Sequence, residues 1–320
     1  MKKKDVALVL SGGGARGAAH IGVIRELERR GYRIVSVTGT SIGSLVGFAY
    51  ASGRLDELEK VLLSLGYDEM ARLLDFTFSG RGLVKGKRIF ALLRKTIPDR
   101  NLEELPIPTV MVASDLTSGE ERVYTRGSAY QAMRSSMAIP GVLTAVNELQ
   151  HTLVDGGILN PLPLNRAVRP AGSILVAVNL YAVIDSRLGP LRGVPVRKVL
   201  ESSSLMDRMR DTWKGIKAWR GDVMDYLLVS SETTASYAGL LKRAAALMML
   251  RMAEQSIRLE QPDIVVSIPF TAAGPLDFQK TAQLLSLGTD RSVAALDAYE
   301  AEGPREKWIR WCKKQRRRFS

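Results

Sequence analysis

The chain has 320 residues, 46% of them apolar, and a formal net charge of +13 at pH 7. Such a chain can bury a large core as one or two domains. A single cysteine, Cys312, excludes an internal disulfide framework and a thiolate metal cluster, and two histidines argue against a histidine-rich metal site. No apolar stretch reaches the ~20 residues that cross a bilayer. Because residues 6–10 run straight into a glycine turn, we read them as a strand and not as a signal peptide, and expect a cytoplasmic protein.

Strands and helices alternate in the first half of the predicted structure. Runs of β-branched and apolar residues predict strands, whereas apolar residues on one helical face predict helices that end near Gly31 and Gly53. In chain order we predict a strand at 6–10, a helix at 18–30, a strand at 34–38, helices at 44–52, 55–65 and 87–96, and a strand at 108–114. Successive strand–turn–helix units imply a parallel sheet with covering helices.

The second half predicts two more strands, at 174–180 and 264–268. Residues 185–236 lack strand patterning, and a long helix is predicted at 239–257. We therefore expect one continuous domain over residues 5–301, with a helical insertion at 185–257, and a separate basic, aromatic tail at 302–320.

The positive charge is concentrated in the tail, between residues 305 and 318, where Trp308, Trp311 and Phe319 are interleaved with lysine and arginine. This composition suits the headgroup layer of an anionic membrane, where each basic residue adds on the order of 1 kcal/mol. Nucleic acid is a less favoured partner of the same composition. A solvated, partly frayed tail is the third interpretation.

The first glycine-rich turn, residues 12–17 (Gly-Gly-Gly-Ala-Arg-Gly), follows a strand and opens into a helix. Its backbone N–H groups favour negative charge. The same spacing is compatible with a dinucleotide site, but such a site requires an acidic residue at the end of the second strand, where this chain has Thr38-Gly-Thr-Ser. A Walker phosphate loop is excluded because no Lys-Ser/Thr follows.

The second glycine turn, Gly39-Thr-Ser41-Ile-Gly43, fits the G-x-S-x-G turn that exposes a serine hydroxyl above a sheet. Gly39 and Gly43 would also serve plain close packing of a helix on a strand. Both glycine turns open at the carboxyl edge of a parallel sheet, so Ser41 and the first turn are expected to lie close together. A nucleophile beside an anion-stabilising turn is typical of acyl transfer.

A serine nucleophile needs a base within hydrogen-bond reach. His20 is expected to be a packed structural histidine, and His151 lies four residues from Asp155, over ~10 Å along a strand. Asp155, followed by Gly156 and Gly157, is either a plain turn residue or the base itself. In combination with both glycine turns, a direct Ser41–Asp155 dyad is the better account.

These motifs, in this order and context, resemble the patatin-like phospholipases over about residues 5–180. Further matching segments are 19–23 (Ala-His-Ile-Gly-Val), 113–120 (Ala-Ser-Asp-Leu-Thr-Ser-Gly-Glu), 135–140 (Ser-Ser-Met-Ala-Ile-Pro) and 160–163 (Asn-Pro-Leu-Pro). The resemblance implies an α/β/α three-layer sandwich with a mainly parallel sheet, and hydrolysis of lipid acyl esters. Neither a cofactor nor a metal is implied, since no calcium-binding loop is evident.

The resemblance also assigns site residues. It makes Ser41 the nucleophile and Asp155 the base. It places the oxyanion hole at Gly12, Gly13, Gly14, Arg16 and Gly17, with Gly39, Gly43, Gly156 and Gly157 supporting the motifs. The main prediction is therefore a serine phospholipase, lysophospholipase or esterase acting at the inner face of a membrane. A non-catalytic, membrane-associated regulatory protein on the same scaffold is the alternative.

Overall fold

The computed structural model describes residues 4–73, 75, 84–183 and 237–303. Its strands are β1 (Asp5–Leu10), β2 (Arg33–Thr40), β3 (Thr109–Asp115), β4 (Glu121–Tyr124), β5 (Val146–Glu148), β6 (His151–Asp155), β7 (Ile174–Ala182) and β8 (Ile264–Pro269). They form a sheet in the order β5-β6-β3-β2-β1-β7-β8, with β4 also paired to β3. The run β3-β2-β1-β7-β8 is parallel, whereas β4 and β6 each pair antiparallel with β3, and β5 pairs antiparallel with β6. This confirms the predicted α/β class with a mainly parallel sheet.

Helices cover both faces of the sheet. They are α1 (Ala18–Arg29), α2 (Ile42–Ala51), α3 (Leu55–Ser64), α4 (Tyr67–Leu73), α5 (Lys87–Thr96), α6 (Ala129–Ser136), α7 (Tyr237–Glu260) and α8 (Thr281–Ala301). Alternate residues of β1 enter different cores, as the pleat of a strand requires. Leu8 packs in the core that α1, α2 and α8 cover, whereas Val9 packs with Leu250 of α7. The result is the predicted three-layer arrangement.

Helix α8 is an element that the sequence pattern did not predict. It packs along α1 through small residues instead of a broad apolar stripe. A Cβ at Gly288 would lie 2.1 Å from the Ala19 carbonyl oxygen, and one at Gly22 would lie 2.2 Å from the carbonyl oxygen of Leu285. The two glycines therefore permit a close crossing, which hydrophobic periodicity does not reveal.

The helix predicted at 239–257 is observed as α7. The rest of the predicted insertion, residues 185–236, and residues 304–320 of the predicted tail lie outside the described residues, so both assignments stay predictions. In the part of the chain that the structure describes, every helix is too short or too polar to cross a membrane.

Candidate active site

Two strands bring Ser41 and Asp155 together end to end. The parallel pairing of β2 with β3 ends at Thr40, which lies opposite Val112. Strand β4 pairs with the other edge of β3. The antiparallel strand β6 therefore continues along the edge that β2 leaves, and its last residue, Asp155, pairs with Ala113. Because Val112 and Ala113 are consecutive, the carboxyl ends of β2 and β6 face each other, and the residue after Thr40 is Ser41.

The two predicted reacting side chains are in direct contact. The Ser41 hydroxyl donates a hydrogen bond of 2.6 Å to Oδ2 of Asp155, and both side chains are buried. Oδ1 of Asp155 accepts the Gly157 N–H at 2.8 Å. Ser41 has φ 54° and ψ −123°, a sparsely populated conformation for a non-glycine residue that costs about 1–3 kcal/mol. The strain places the hydroxyl at the tip of the turn, immediately before α2.

The environment of Asp155 makes it more basic than an ordinary carboxylate. Burial raises its pKa from 3.8 to about 6, although the hydrogen bonds from Ser41 and Gly157 work in the opposite direction. At neutral pH the group is therefore largely ionised and still has appreciable affinity for a proton. That combination suits a general base.

A network of serine hydroxyls, which the local sequence pattern does not reveal, holds the Ser41 turn. The backbone N–H of Ser41 donates to Oγ of Ser136 at 2.8 Å, and Ser136 donates in turn to the Val112 carbonyl at 2.6 Å. Oγ of Ser44 lies 2.8 Å from Oγ of Ser136 and donates to the Gly39 carbonyl. Ser136 belongs to the segment 135–140, which matches the family in sequence, but the resemblance gave this segment no role.

Steric constraints explain why glycine occupies the second turn and the Asp-Gly-Gly turn. A Cβ at Gly39 would lie 2.4 Å from the Gly43 carbonyl, and a Cβ at Gly43 would lie 2.3 Å from the carbonyl oxygen of Leu10. At Gly156 the added atom would lie 2.1 Å from the carbonyl oxygen of Val112. Close packing and the serine elbow are therefore two aspects of the same turn, and each glycine allows two backbones to meet.

The first glycine turn approaches Ser41, but its amides are not equivalent. The Gly12 N–H donates to the Pro161 carbonyl at 2.9 Å. Within the described residues, the N–H groups of Gly13 and Gly14 have no acceptor. Gly14 has φ 59°, and a Cβ there would lie 2.3 Å from the carbonyl oxygen of Pro275. The Gly12 N–H anchors the loop, and the Gly13 and Gly14 amides are the donors that stay available.

Arg16, another predicted member of that hole, has different contacts. Its guanidinium is buried and donates from Nη1 to the carbonyls of Phe270, at 2.8 Å, and Ala273, at 3.0 Å. It also stacks 4.3 Å from the centre of the Phe270 ring. Burial lowers its pKa to about 10, so it stays charged at neutral pH. These contacts brace the chain after β8 against the glycine loop. Gly17 has a packing role, since a Cβ there would lie 2.2 Å from the side chain of Ile42.

Both histidines contact groups other than the dyad. Nε2 of His20 lies 2.9 Å from the Ser11 carbonyl oxygen, and burial lowers its pKa to about 4, so the ring is neutral and donates this bond. Nδ1 of His151 lies 2.5 Å from Oδ2 of Asp115. His20 is buried and packed, as the sequence predicts, and within the described residues neither ring hydrogen-bonds to Ser41 or Asp155. Among the described residues, His, Cys, Asp and Glu side chains form no cluster of three or more suited to a metal ion.

Comparison with known proteins establishes the family. The family model for patatin-like phospholipases matches residues 8–168, half of the chain, and includes both glycine turns and the Asp-Gly-Gly turn. The chain belongs to the patatin-like phospholipase family. This confirms the resemblance that the motifs carry, and places the chain in a family of lipid ester hydrolases.

Several relatives are similar to this patatin-like protein. An uncharacterized NTE family protein of Mycobacterium tuberculosis is 31% identical, over 93% of this chain and 92% of that protein. Patatin-like phospholipase domain-containing protein 6 of Homo sapiens is 33% identical over 55% of this chain, but that alignment covers 13% of the human protein. Among solved structures, VipD from Legionella pneumophila covers 93% of this chain and 67% of its own, with 14% identity and a TM-score of 0.44.

Proposed function

We propose that the protein is a serine lipid acyl hydrolase that uses a Ser41–Asp155 dyad on phospholipids, lysophospholipids or related acyl esters. The observation that carries the proposal is the 2.6 Å hydrogen bond between the Ser41 hydroxyl and the buried Asp155 carboxylate. Membership of the patatin-like phospholipase family supports the class of substrate.

In the first half-reaction, Oγ of Ser41 attacks the ester carbonyl carbon as Asp155 accepts the hydroxyl proton. The carbonyl oxygen becomes an oxyanion, which the N–H groups of Gly13 and Gly14 stabilise together with the positive end of α2. When the carbonyl re-forms, the bond to the leaving alcohol breaks and Asp155 returns the proton to that alcohol. The acyl group is left as an ester on Ser41.

In the second half-reaction, water attacks the acylated Ser41 and gives one proton to Asp155. The tetrahedral species collapses, the bond to Oγ breaks, and Asp155 reprotonates Oγ. A fatty acid is released and the enzyme returns to its starting state. One residue acts as base and then as acid in each half, which requires a pKa close to the working pH.

We also propose that the basic tail binds the enzyme to a membrane surface. Residues 305–320 would hold the enzyme peripherally on anionic lipid, and the sequence composition is the support for this part. Removal of these residues should weaken sedimentation with anionic vesicles and leave turnover of a soluble ester unchanged. Equal binding of vesicles by the truncated and full chains would refute the membrane role, and binding of DNA in preference to vesicles would favour nucleic acid.

The catalytic part is tested with purified protein and a short-chain nitrophenyl ester, followed by phospholipid and lysophospholipid. Ser41→Ala should lower turnover by at least ~10⁴-fold and abolish labelling by a fluorophosphonate. Ser52→Ala, at the far end of α2, is the matched control and should retain wild-type turnover. Failure of the wild-type protein to label at Ser41 would favour the non-catalytic scaffold instead.

A further inference from the structure

The geometry points to Tyr181 as a third side chain of the reaction centre, whose hydroxyl donates a hydrogen bond to an oxygen of the bound ester. The inference rests on the proposed function, since it assigns a residue to the same reaction. Tyr181 lies near the end of β7, outside the three glycine and aspartate motifs. None of the sequence motifs includes it.

The Tyr181 hydroxyl lies near the glycine loop beside Ser41 and near the turn that follows Asp155. It is 3.1 Å from the position that a Cβ of Gly12 would occupy, and Cβ of Ser41 is 3.4 Å from the same point. It is also 3.7 Å from the position that a Cβ of Gly157 would occupy, a point that lies 3.0 Å from Oδ1 of Asp155. The hydroxyl is thus flanked by the glycine loop beside the nucleophile and by the turn that follows the base.

Among the described residues, this hydroxyl has no strong acceptor although it is buried. Tyr181 is 4% exposed, and the acceptor that the described residues offer is the thioether sulfur of Met249, at 3.8 Å. A thioether is a weak acceptor, whereas buried hydroxyls in proteins normally have a good one. An ester oxygen placed for attack by Ser41 would supply it. Burial raises the pKa of Tyr181 far above neutrality, so the group stays a donor throughout the range in which Asp155 ionises.

The ring of Tyr181 is held rigidly, as a group that acts on a transition state should be. It stacks on Phe270 with 6.3 Å between ring centroids and 22° between planes. The Arg16 guanidinium lies 4.3 Å from the centre of the Phe270 ring and 5.9 Å from the centre of the Tyr181 ring, and it donates a hydrogen bond to the Phe270 carbonyl. Arg16 therefore acts on the site through Phe270 and Tyr181, which gives this buried cation a positioning role.

The chemistry requires no further proton acceptor. Negative charge develops first on the carbonyl oxygen and then on the leaving oxygen as the tetrahedral species collapses. A neutral phenol stabilises either oxygen by hydrogen bonding alone and keeps its proton. A single donor aimed at developing charge can contribute ~100-fold in rate.

Tyr181→Phe tests the inference because it removes the hydroxyl and keeps the ring stacked on Phe270. We expect kcat to fall by ~10- to 100-fold with KM changed less than threefold and the melting temperature retained. Tyr32→Phe is the matched control. That tyrosine is also buried, but its hydroxyl donates to Glu300. It should lose stability and keep the wild-type kcat.

A series of esters with different leaving alcohols sharpens the result. A loss that grows with the basicity of the alcohol supports donation to the leaving oxygen, and a uniform loss supports donation to the carbonyl oxygen. A kcat within twofold of wild type in Tyr181→Phe overturns the inference and leaves the dyad intact. Absence of turnover in the wild-type protein would instead remove the proposed function itself.

Discussion

Asp115 and Asp155 are two buried aspartates with opposite surroundings. They end the adjacent strands β3 and β6 and are 5% and 6% exposed. Asp115 accepts hydrogen bonds from the Thr117 N–H at 2.9 Å and the Ser118 hydroxyl at 2.8 Å, and His151 lies against it. Burial raises its pKa, but the three partners outweigh burial and lower the pKa to about 2.

Asp155 has fewer partners and is more deeply enclosed by the protein, although the two side chains are similarly exposed to solvent. Its carboxylate receives one backbone N–H, from Gly157, and the Ser41 hydroxyl. Burial therefore prevails and raises the pKa to about 6. The comparison teaches that solvent exposure alone does not separate a structural anion from the proposed base, because the number of donors and the depth of the carboxyl both set its pKa. It also shows that the half-exposed histidine of this sheet edge is bound to the structural carboxylate.

Activity should separate the two aspartates most strongly. Asp155→Asn removes the proton acceptor and should lower kcat by ~10³- to 10⁴-fold. Asp115→Asn keeps the dyad and should retain kcat within about threefold. Steady-state hydrolysis of a soluble ester measures both. A comparable loss in the two variants would show that the carboxylates do not have distinct roles.

Stability should change with opposite sign in the same two variants. The folded-state pKa of Asp155, about 6, is above its ordinary value of 3.8, so the stability it contributes is present below pH 3.8 and is lost as pH rises to 6. Asp155→Asn should therefore stabilise the protein at pH 7 by up to about 3 kcal/mol. Asp115 has a lowered pKa, and its contribution is present above pH 3.8 and is lost as pH falls towards 2.

At pH 7, Asp115→Asn should accordingly destabilise the protein, by about 1–2 kcal/mol from weakened hydrogen bonds. Urea unfolding at pH 7 and at pH 4 measures both differences. The stabilisation by Asp155→Asn should shrink at pH 4. If Asp155→Asn is less stable than the wild type at pH 7, the claim that the buried, ionised Asp155 carboxylate destabilises the folded protein is contradicted.

Disruption of the serine network around Ser41 should lower kcat less than Asp155→Asn does. Ser136→Ala removes the acceptor of the Ser41 N–H and should lower kcat by ~10-fold, because the strained turn loses its support. Ser135→Ala is the matched control. Ser135 is equally buried, but it hydrogen-bonds to Gln131 and Tyr124. It should keep kcat within twofold, and an equal loss in both would indicate general damage to α6.

The smallest change is expected for His151 on the Asp115 side. His151→Ala removes a half-exposed partner of Asp115 and should leave kcat within twofold of wild type. Its effect on the free energy of unfolding should stay near or below ~1 kcal/mol, as for other exposed ion pairs. A loss of activity as large as that of Asp155→Asn would make a histidine part of the reaction.

Much of this site could be predicted because its signals are local. The turns around Gly12, Ser41 and Asp155 each combine a strand end with glycines, and a parallel sheet brings the first two to one edge. The Arg16 and Gly12 contacts depend on the Phe270 turn and on Pro161, which are distant in sequence. The spacing of residues in the sequence does not predict such long-range contacts.

The fold was predictable to a similar degree. Strands β1, β2, β3, β7 and β8 are buried apolar runs, and their predicted positions were confirmed within a few residues. The short strands β4 and β5 were missed because each has three or four residues and mixed polarity. Helix α6 was also missed. The register that places Asp155 opposite Ala113 is a tertiary pairing, which no local pattern specifies.

The most direct test of a Ser41–Asp155 dyad is the pH dependence of Ser41 labelling by a fluorophosphonate. We expect the labelling rate of the wild-type protein to rise through a single ionisation near pH 6, the pKa of Asp155, and the same profile in His151→Ala. Asp155→Asn should label slowly at every pH. An ionisation that persists in Asp155→Asn, or that disappears in His151→Ala, would contradict direct activation of the serine by this carboxylate.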